Sequence, residues 1–230
     1  MAKRRGKLET VRLNTPVAPD AIAGLKLGQV VYLSGVVYTA REGVYRRILD
    51  DGVAPPVDFE GLTNVNFHCS PAAAVTGAGS ADATYNVGAV TATASFRFSK
   101  WMDRWLEMSG ARVVIGKGGM SEADYKNTFV PRGAVYLTTV GYGTGALLGR
   151  GIKRVRDVFW LEELGIAQAL WVFEVENFGP FLVESDVQGN SLFEQNNRAL
   201  AARIDALYEN LKPPALHRYG ETDDRKDELI

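Results

Sequence analysis

Three features of the sequence predict an α/β fold with a mostly parallel sheet and a second, antiparallel sheet. β-rich runs alternate with segments whose apolar residues recur at helical spacing. Glycine and proline mark the changes between them. The 230 residues are 46% hydrophobic, which is enough to bury one large core.

Residues 1–16 read as an N-terminal arm or edge strand, 17–212 as the globular domain and 213–230 as a flexible tail. The first strong strand is Val30, Val31, Tyr32 and Leu33, introduced by Leu27-Gly28-Gln29 and continued by Val36 to Tyr38. A helix follows, with Val44, Tyr45, Ile48 and Leu49 on one side and Gly52 as its stop. Pro55-Pro56 marks a loop, and residues 65–69 form a short strand. Residues 70–89, rich in Ala, Gly, Ser and Thr, read as a connection or hairpin.

Ser99 is placed as the N-cap of the next helix, whose apolar side is Met102, Trp105, Leu106 and Met108 and whose end is Gly110. Residues 112–115 form a buried strand. Ser121-Glu122-Ala123-Asp124 carries a partial capping signature for a further helix. Residues 134–140 form a strand that runs into the glycine-rich stretch 141–151. Three more strands are expected at 155–160, 170–175 and 181–185, with a helical turn at Glu162 to Gly165. Residues 193–211 form an amphipathic helix with Leu200, Ile204, Leu207 and Leu211 on one side, broken by Pro213-Pro214.

Charge and cysteine content exclude several functions. With 26 basic and 27 acidic residues the formal net charge is -1, which gives no electrostatic case for a nucleic-acid partner. No apolar run approaches the roughly 20 residues of a membrane span. The basic start Lys3, Arg4, Arg5 and Lys7 has no apolar segment behind it, so no signal peptide and a cytoplasmic location are expected. The single cysteine, Cys69, permits no internal disulfide and cannot by itself hold an iron–sulfur cluster. With only His68 and His217 besides, far apart in sequence, no zinc site and no metal ligands within this chain are expected, although carboxylates could bind harder ions.

Three cations stand at strand ends or glycine turns. Arg41 closes Tyr38-Thr39-Ala40-Arg41, Arg97 closes Thr93-Ala94-Ser95-Phe96-Arg97, and Lys117 lies in Gly116-Lys117-Gly118-Gly119. In α/β proteins ligands gather at the carboxyl ends of strands, so cations at three such ends point to a small carboxylate. Guanidinium matches a carboxylate in a planar fork, and lysine supplies a point charge on a flexible stem. His68, Cys69 and the four tryptophans are expected to be structural, and Glu174 and Glu176 to lie on a solvated face.

The chain resembles the beta subunit of iron–sulfur hydro-lyases, the family of L(+)-tartrate dehydratase and of the C-terminal domain of class I fumarase. The likeness runs from about residue 13 to 197. It rests on Tyr32-Leu33-Ser34-Gly35, Thr39-Ala40-Arg41, Phe67-His68-Cys69-Ser70-Pro71, the segments 93–97 and 116–120, Glu163-Leu164-Gly165, Leu170-Trp171-Val172, Phe178-Gly179-Pro180 and Gly189-Asn190.

The resemblance implies a swivelling β/β/α domain. It also implies a [4Fe–4S] cluster held by a cysteine-bearing alpha subunit, and a heterodimer or heterotetramer that reversibly dehydrates a small hydroxy dicarboxylate. Thr93 falls on the position proposed as the proton-abstracting base, with Arg41, Arg97 and Lys117 as substrate ligands. Loss of water from a 2-hydroxy dicarboxylate needs a fixed cation on each carboxylate, both for orientation and to hold developing negative charge. A threonine hydroxyl serves as a base only where nearby cations lower its pKa. The family pattern has Asp and His where Glu42 and Tyr45 stand, and Gly-Pro-Thr-Thr-Ser where Thr91-Ala92-Thr93-Ala94-Ser95 stands. These departures bear on the substrate more than on the reaction class.

Two other readings compete. Gly141-Tyr142-Gly143-Thr144-Gly145-Ala146 fits the G-x-G-x-x-A dinucleotide fingerprint, with Glu162 about 20 residues on, as in an NAD(P)-binding oxidoreductase subunit. The chain could also be a non-catalytic assembly subunit that stabilises a cluster-bearing partner.

Overall fold

In the computed structural model the described residues are 8–76, 84–141 and 143–207. Nine strands are present among them: β1 (Thr10–Asn14), β2 (Val30–Thr39), β3 (Val65–Phe67), β4 (Cys69–Thr76), β5 (Thr84–Ala92), β6 (Val113–Gly116), β7 (Val135–Thr139), β8 (Ile152–Phe159) and β9 (Leu170–Ser185). Seven form one sheet in the order β1-β2-β3-β6-β7-β9-β8. Strands β1, β2, β3, β6 and β7 pair in parallel. Strand β9 runs antiparallel to β7, β8 and β2, so the pairings β2–β3–β6–β7–β9 close into a circuit. Strands β4 and β5 form a separate antiparallel hairpin. The architecture is therefore mixed α/β with a mainly parallel sheet and a second antiparallel one, as the alternation of runs predicts.

Side-chain alternation along the strands fills two cores. Val31, Leu33, Val65, Phe67, Val113, Ile115, Val135, Leu137 and Val183 face one cluster. Tyr38, Val114, Tyr136 and Val172 face the other, where helix α4 covers them with Trp101, Met102, Trp105 and Leu106. The helices are α1 (Pro19–Ala23), α2 (Glu42–Tyr45), α3 (Phe59–Leu62), α4 (Ser99–Ser109), α5 (Glu122–Asp124), α6 (Thr144–Gly151), α7 (Leu161–Leu164) and α8 (Leu192–Leu207). None among the described residues is long and apolar enough to cross a membrane.

Several expectations are corrected. The helix from Val44 to Gly52 exists, but only its first turn is α2, and residues Arg46–Asp50 continue it with π-type bonding. Helix α5 has the capping box read from the sequence, Ser121 and Asp124 bonding each other's backbone N–H, yet it lasts three residues before a π turn at Tyr125–Phe129. Ser99 is not an N-cap. Phe98 holds that position after a 3-10 turn at Ser95–Phe98, and the Ser99 hydroxyl donates to Asp124.

The two strands expected at 170–175 and 181–185 are one strand, β9. It stays continuous because β2 pairs with it from Val30 to Tyr38, absorbing the irregularity in two register shifts. Glu174 and Glu176 lie on a solvated face and pair with Arg154 and Lys153.

The described residues fall into two compact units, one running to Phe193 and the other beginning at Glu194. In α8, Leu200, Ile204 and Leu207 are exposed. Leu211 and the 213–230 tail lie outside the described residues.

Candidate functional site

Arg41, His68 and Lys117 follow the carboxyl ends of β2, β3 and β6, three parallel neighbours in the sheet. The segment after β5 docks onto the same end. The Thr93 N–H donates to the His68 carbonyl at 2.7 Å, and the Lys117 N–H donates to the Thr93 carbonyl at 3.0 Å. Ala94 and Lys117 form an isolated parallel bridge. Four residues beyond Thr93, Arg97 projects from the 3-10 turn, exposed, its guanidinium 5.7 Å from the centre of the Phe98 ring.

Arg41 is half-buried at the N-cap of α2, with extended backbone, and donates from Nη1 to the Ala167 carbonyl at 2.6 Å. Its Nε is buried without a partner. Burial lowers its pKa most and the Arg97 charge lowers it further, while the Glu42 carboxylate acts the other way. Among the described residues no carboxylate forms an ion pair with Arg41, Arg97 or Lys117. A site that concentrates unneutralised cations can bind a multiply charged anion.

The structure thus brings the four sequence-predicted residues to one end of the sheet. A hollow of about 550 Å³ beside them is lined by Lys117, Thr91, Thr139, Thr144 and glycines 141, 143 and 145, but not by Arg41, Thr93 or Arg97.

Gly116 lets this end close up. A Cβ there would overlap the Ser95 and Tyr136 hydroxyls and lie 3.2 Å from the Thr93 carbonyl. Beyond Lys117 the loop is held from below: the Met120 N–H donates to the Tyr125 hydroxyl at 2.8 Å, and that hydroxyl donates to the fully buried Glu184.

A buried polar chain runs beneath the cations, and the sequence reading missed it. Asn66 Nδ2 donates to the Tyr45 hydroxyl at 2.7 Å, and that hydroxyl lies 2.7 Å from His68 Nε2. His68 Nδ1 lies 2.7 Å from Ser95 Oγ, which accepts from the Tyr136 hydroxyl at 2.6 Å. Burial, and then the Arg41 charge, push the His68 pKa down to about 3, so the ring is neutral. Burial likewise raises the Cys69 thiol and Tyr45 hydroxyl pKa values.

His68 and Ser95 sit inside motifs that were singled out, and pairing them needed only a reason to join the two. Asn66 and Tyr136 carried no signal, being ordinary strand residues.

The glycine-rich segment leads from β7 through α6 into β8, but β9 lies between these two strands and pairs antiparallel with both, so they are not the adjacent parallel pair of a dinucleotide-binding βαβ unit. Gly145 and Gly149 let α6 rest on the hairpin: Cβ atoms there would meet the carbonyls of Val90 and Gly88. Glu162 stands in α7, the four-residue turn after β8.

As for a metal group, the one thiol of the chain, Cys69, is buried, and among the described residues no three His, Cys, Asp or Glu side chains gather as a ligand set. A single thiol cannot supply the cysteines of an iron–sulfur cluster, so the described residues of this chain do not fit that group.

The family described as Fumarase C-terminus matches residues 1–196. The L(+)-tartrate dehydratase subunit beta of Escherichia coli K12 is 28% identical over 199 residues, 86% of this chain and 94% of that protein. A Methanocaldococcus jannaschii protein, provisionally given the same subunit name, is 32% identical over 186 residues, 80% of this chain and 91% of its own length. A Geobacillus stearothermophilus protein, provisionally named fumarate hydratase class I, is 29% identical over 209 residues, 91% of this chain but 38% of that protein. With a match over most of its length and its cations gathered at one sheet end, the chain belongs to the Fumarase C-terminus family.

Proposed function

We propose that this chain is the beta subunit of a two-subunit hydro-lyase that reversibly dehydrates a small hydroxy dicarboxylic acid of the tartrate or malate type, on a swivelling β/β/α domain. The observation that carries the reading is the gathering of Arg41, Arg97 and Lys117, none paired with a carboxylate among the described residues, around the Thr93 segment. The names of the relatives above agree with a dehydratase or hydratase.

Arg41 and Arg97 bind the substrate carboxylates. Held 2.6 Å from the Ala167 carbonyl, Arg41 is pre-oriented and loses little freedom on binding. Lys117 adds a charge whose backbone is tied to Thr93. The three cations stabilise the negative charge that builds on the carboxylate side as the C–H proton leaves. Thr93, nine-tenths buried at the centre of this field, faces that proton. An alpha subunit supplies the cysteines for a [4Fe–4S] cluster, which when bound offers a Lewis acid for the substrate hydroxyl. The partner also closes over a site that is open on this chain alone.

The test is anoxic co-expression with the cysteine-bearing subunit of the neighbouring reading frame, followed by a screen of tartrate, malate, fumarate and mesaconate. The complex is expected to turn over at least one acid and the separate chain none. Robust activity of this chain alone, without metal, overturns the reading. Unchanged turnover in Arg97→Ala would instead leave an assembly role.

A further inference from the structure

The histidine beneath the cations joins the two segments that carry the arginines. On one side His68 Nε2 meets the hydroxyl of Tyr45, whose N–H donates to the Arg41 carbonyl at 3.0 Å. On the other side Nδ1 meets Ser95 Oγ, the first residue of the turn that carries Arg97. The ring also stands edge-on to Phe98 at 4.9 Å between centres, so it touches residues on both sides of Arg97. Its own main chain receives the Thr93 N–H and donates to Ile115 at 2.8 Å.

A fully buried imidazole is an expensive way to fill space, because an apolar ring of like size packs without polar atoms to satisfy. What imidazole alone supplies is two nitrogens on opposite sides of a rigid ring. In the neutral form one nitrogen donates and the other accepts, so the ring can bridge two hydroxyls at once. The groups facing it are Tyr45, Asn66, Ser95 and the Arg41 charge.

We propose that His68 is a positioning residue of the dehydration reaction, a strut that sets the spacing of Arg41 and Arg97 and so the substrate's carboxylate separation. The proposal rests on the hydro-lyase reading above. It places the specificity of the site partly in residues that never touch substrate.

The experiment is a kinetic cycle in the two-subunit complex. Tyr45→Phe and Ser95→Ala each delete one oxygen and leave the fold's packing nearly intact. Each is expected to lower kcat/KM by about five- to tenfold, chiefly by raising KM. His68→Phe is expected to lower it by about 10²-fold. In the His68→Phe background neither single change should lower it further, because the strut is already gone. Unchanged kinetic constants in both single variants, or effects that simply add to that of His68→Phe, overturn the proposal.

Should His68→Phe fail to fold, the two single variants still decide, and nitrogen-15 spectra of the chain provide a second readout. The chain has two histidines, so His217→Asn assigns the signals. The His68 nitrogens are expected to shift in Tyr45→Phe and in Ser95→Ala, and unmoved signals overturn the strut. A wild-type complex inert towards every acid tested overturns the hydro-lyase reading instead, which separates the two failures.

Discussion

The Lys117 N–H donates to the Thr93 carbonyl at 3.0 Å. This bond fixes the cation-bearing loop to the Thr93 segment through the backbone, so their spacing does not depend on a rotamer. Gly116, one residue earlier, allows the approach.

Replacing Gly116 by Ala should therefore damage both stability and site. The added methyl would overlap the Ser95 and Tyr136 hydroxyls in a closed part of the core. A loss of about 1–3 kcal/mol in unfolding free energy is expected, measured by urea denaturation, together with a raised KM for substrate.

Arg41→Lys and Arg97→Lys keep the charge and remove the planar fork. A loss of about ten- to hundredfold in kcat/KM is expected for each in the complex, with circular dichroism unchanged. Full activity in both would remove the carboxylate-binding role.

Tyr125→Phe withdraws the acceptor of the Met120 N–H and a donor to Glu184, a fully buried carboxylate. Stability should fall by about 1–3 kcal/mol. The Met120 amide should lose hydrogen-exchange protection before the strands do, because the loop after Lys117 loses its anchor.

Acid should destabilise the chain through His68. Its folded pKa is about 3, against an ordinary value of 6.5. Between these pH values the unfolded chain binds the proton and the native chain does not, so stability rises with pH there. The contribution is fully present above about 6.5 and is lost as pH falls towards 3. His68→Gln should flatten the slope of unfolding free energy against pH by up to one proton, read from denaturation curves at several pH values.

Gly149→Ala separates the two readings of the glycine segment. A Cβ there meets the Gly88 carbonyl, so α6 should lift from the hairpin with a loss of about 1–3 kcal/mol. NAD should leave the thermal midpoint of the wild-type chain unchanged. A rise with NAD, absent with dicarboxylates, would revive the dinucleotide reading.

Much of the fold was legible because it is locally encoded. Strands β6 and β7 open on continuous apolar runs, residues 113–115 and 134–137, as expected where both faces are buried. Gly110, in left-handed conformation, ends α4 where the sequence placed the stop. What stayed illegible depends on partners distant in sequence. The unity of β9 comes from its pairing with β2, more than 130 residues earlier in the chain. The Leu200 stripe looks like a core face by periodicity, yet it is exposed in the described structure.

By itself the sequence determined the class of fold, the carboxyl ends of β2, β3 and β6 and the residue types that stand there, because side-chain period and turn chemistry act over a few residues. Only the tertiary structure decided which strand ends are neighbours, that the Thr93 segment docks onto the end of β3 and β6, and that a neutral imidazole spans the gap between two arginine-bearing turns. The side-chain contacts of that buried network join residues 23 to 41 positions apart, and their geometry follows from sheet order and from the need to satisfy buried polar groups.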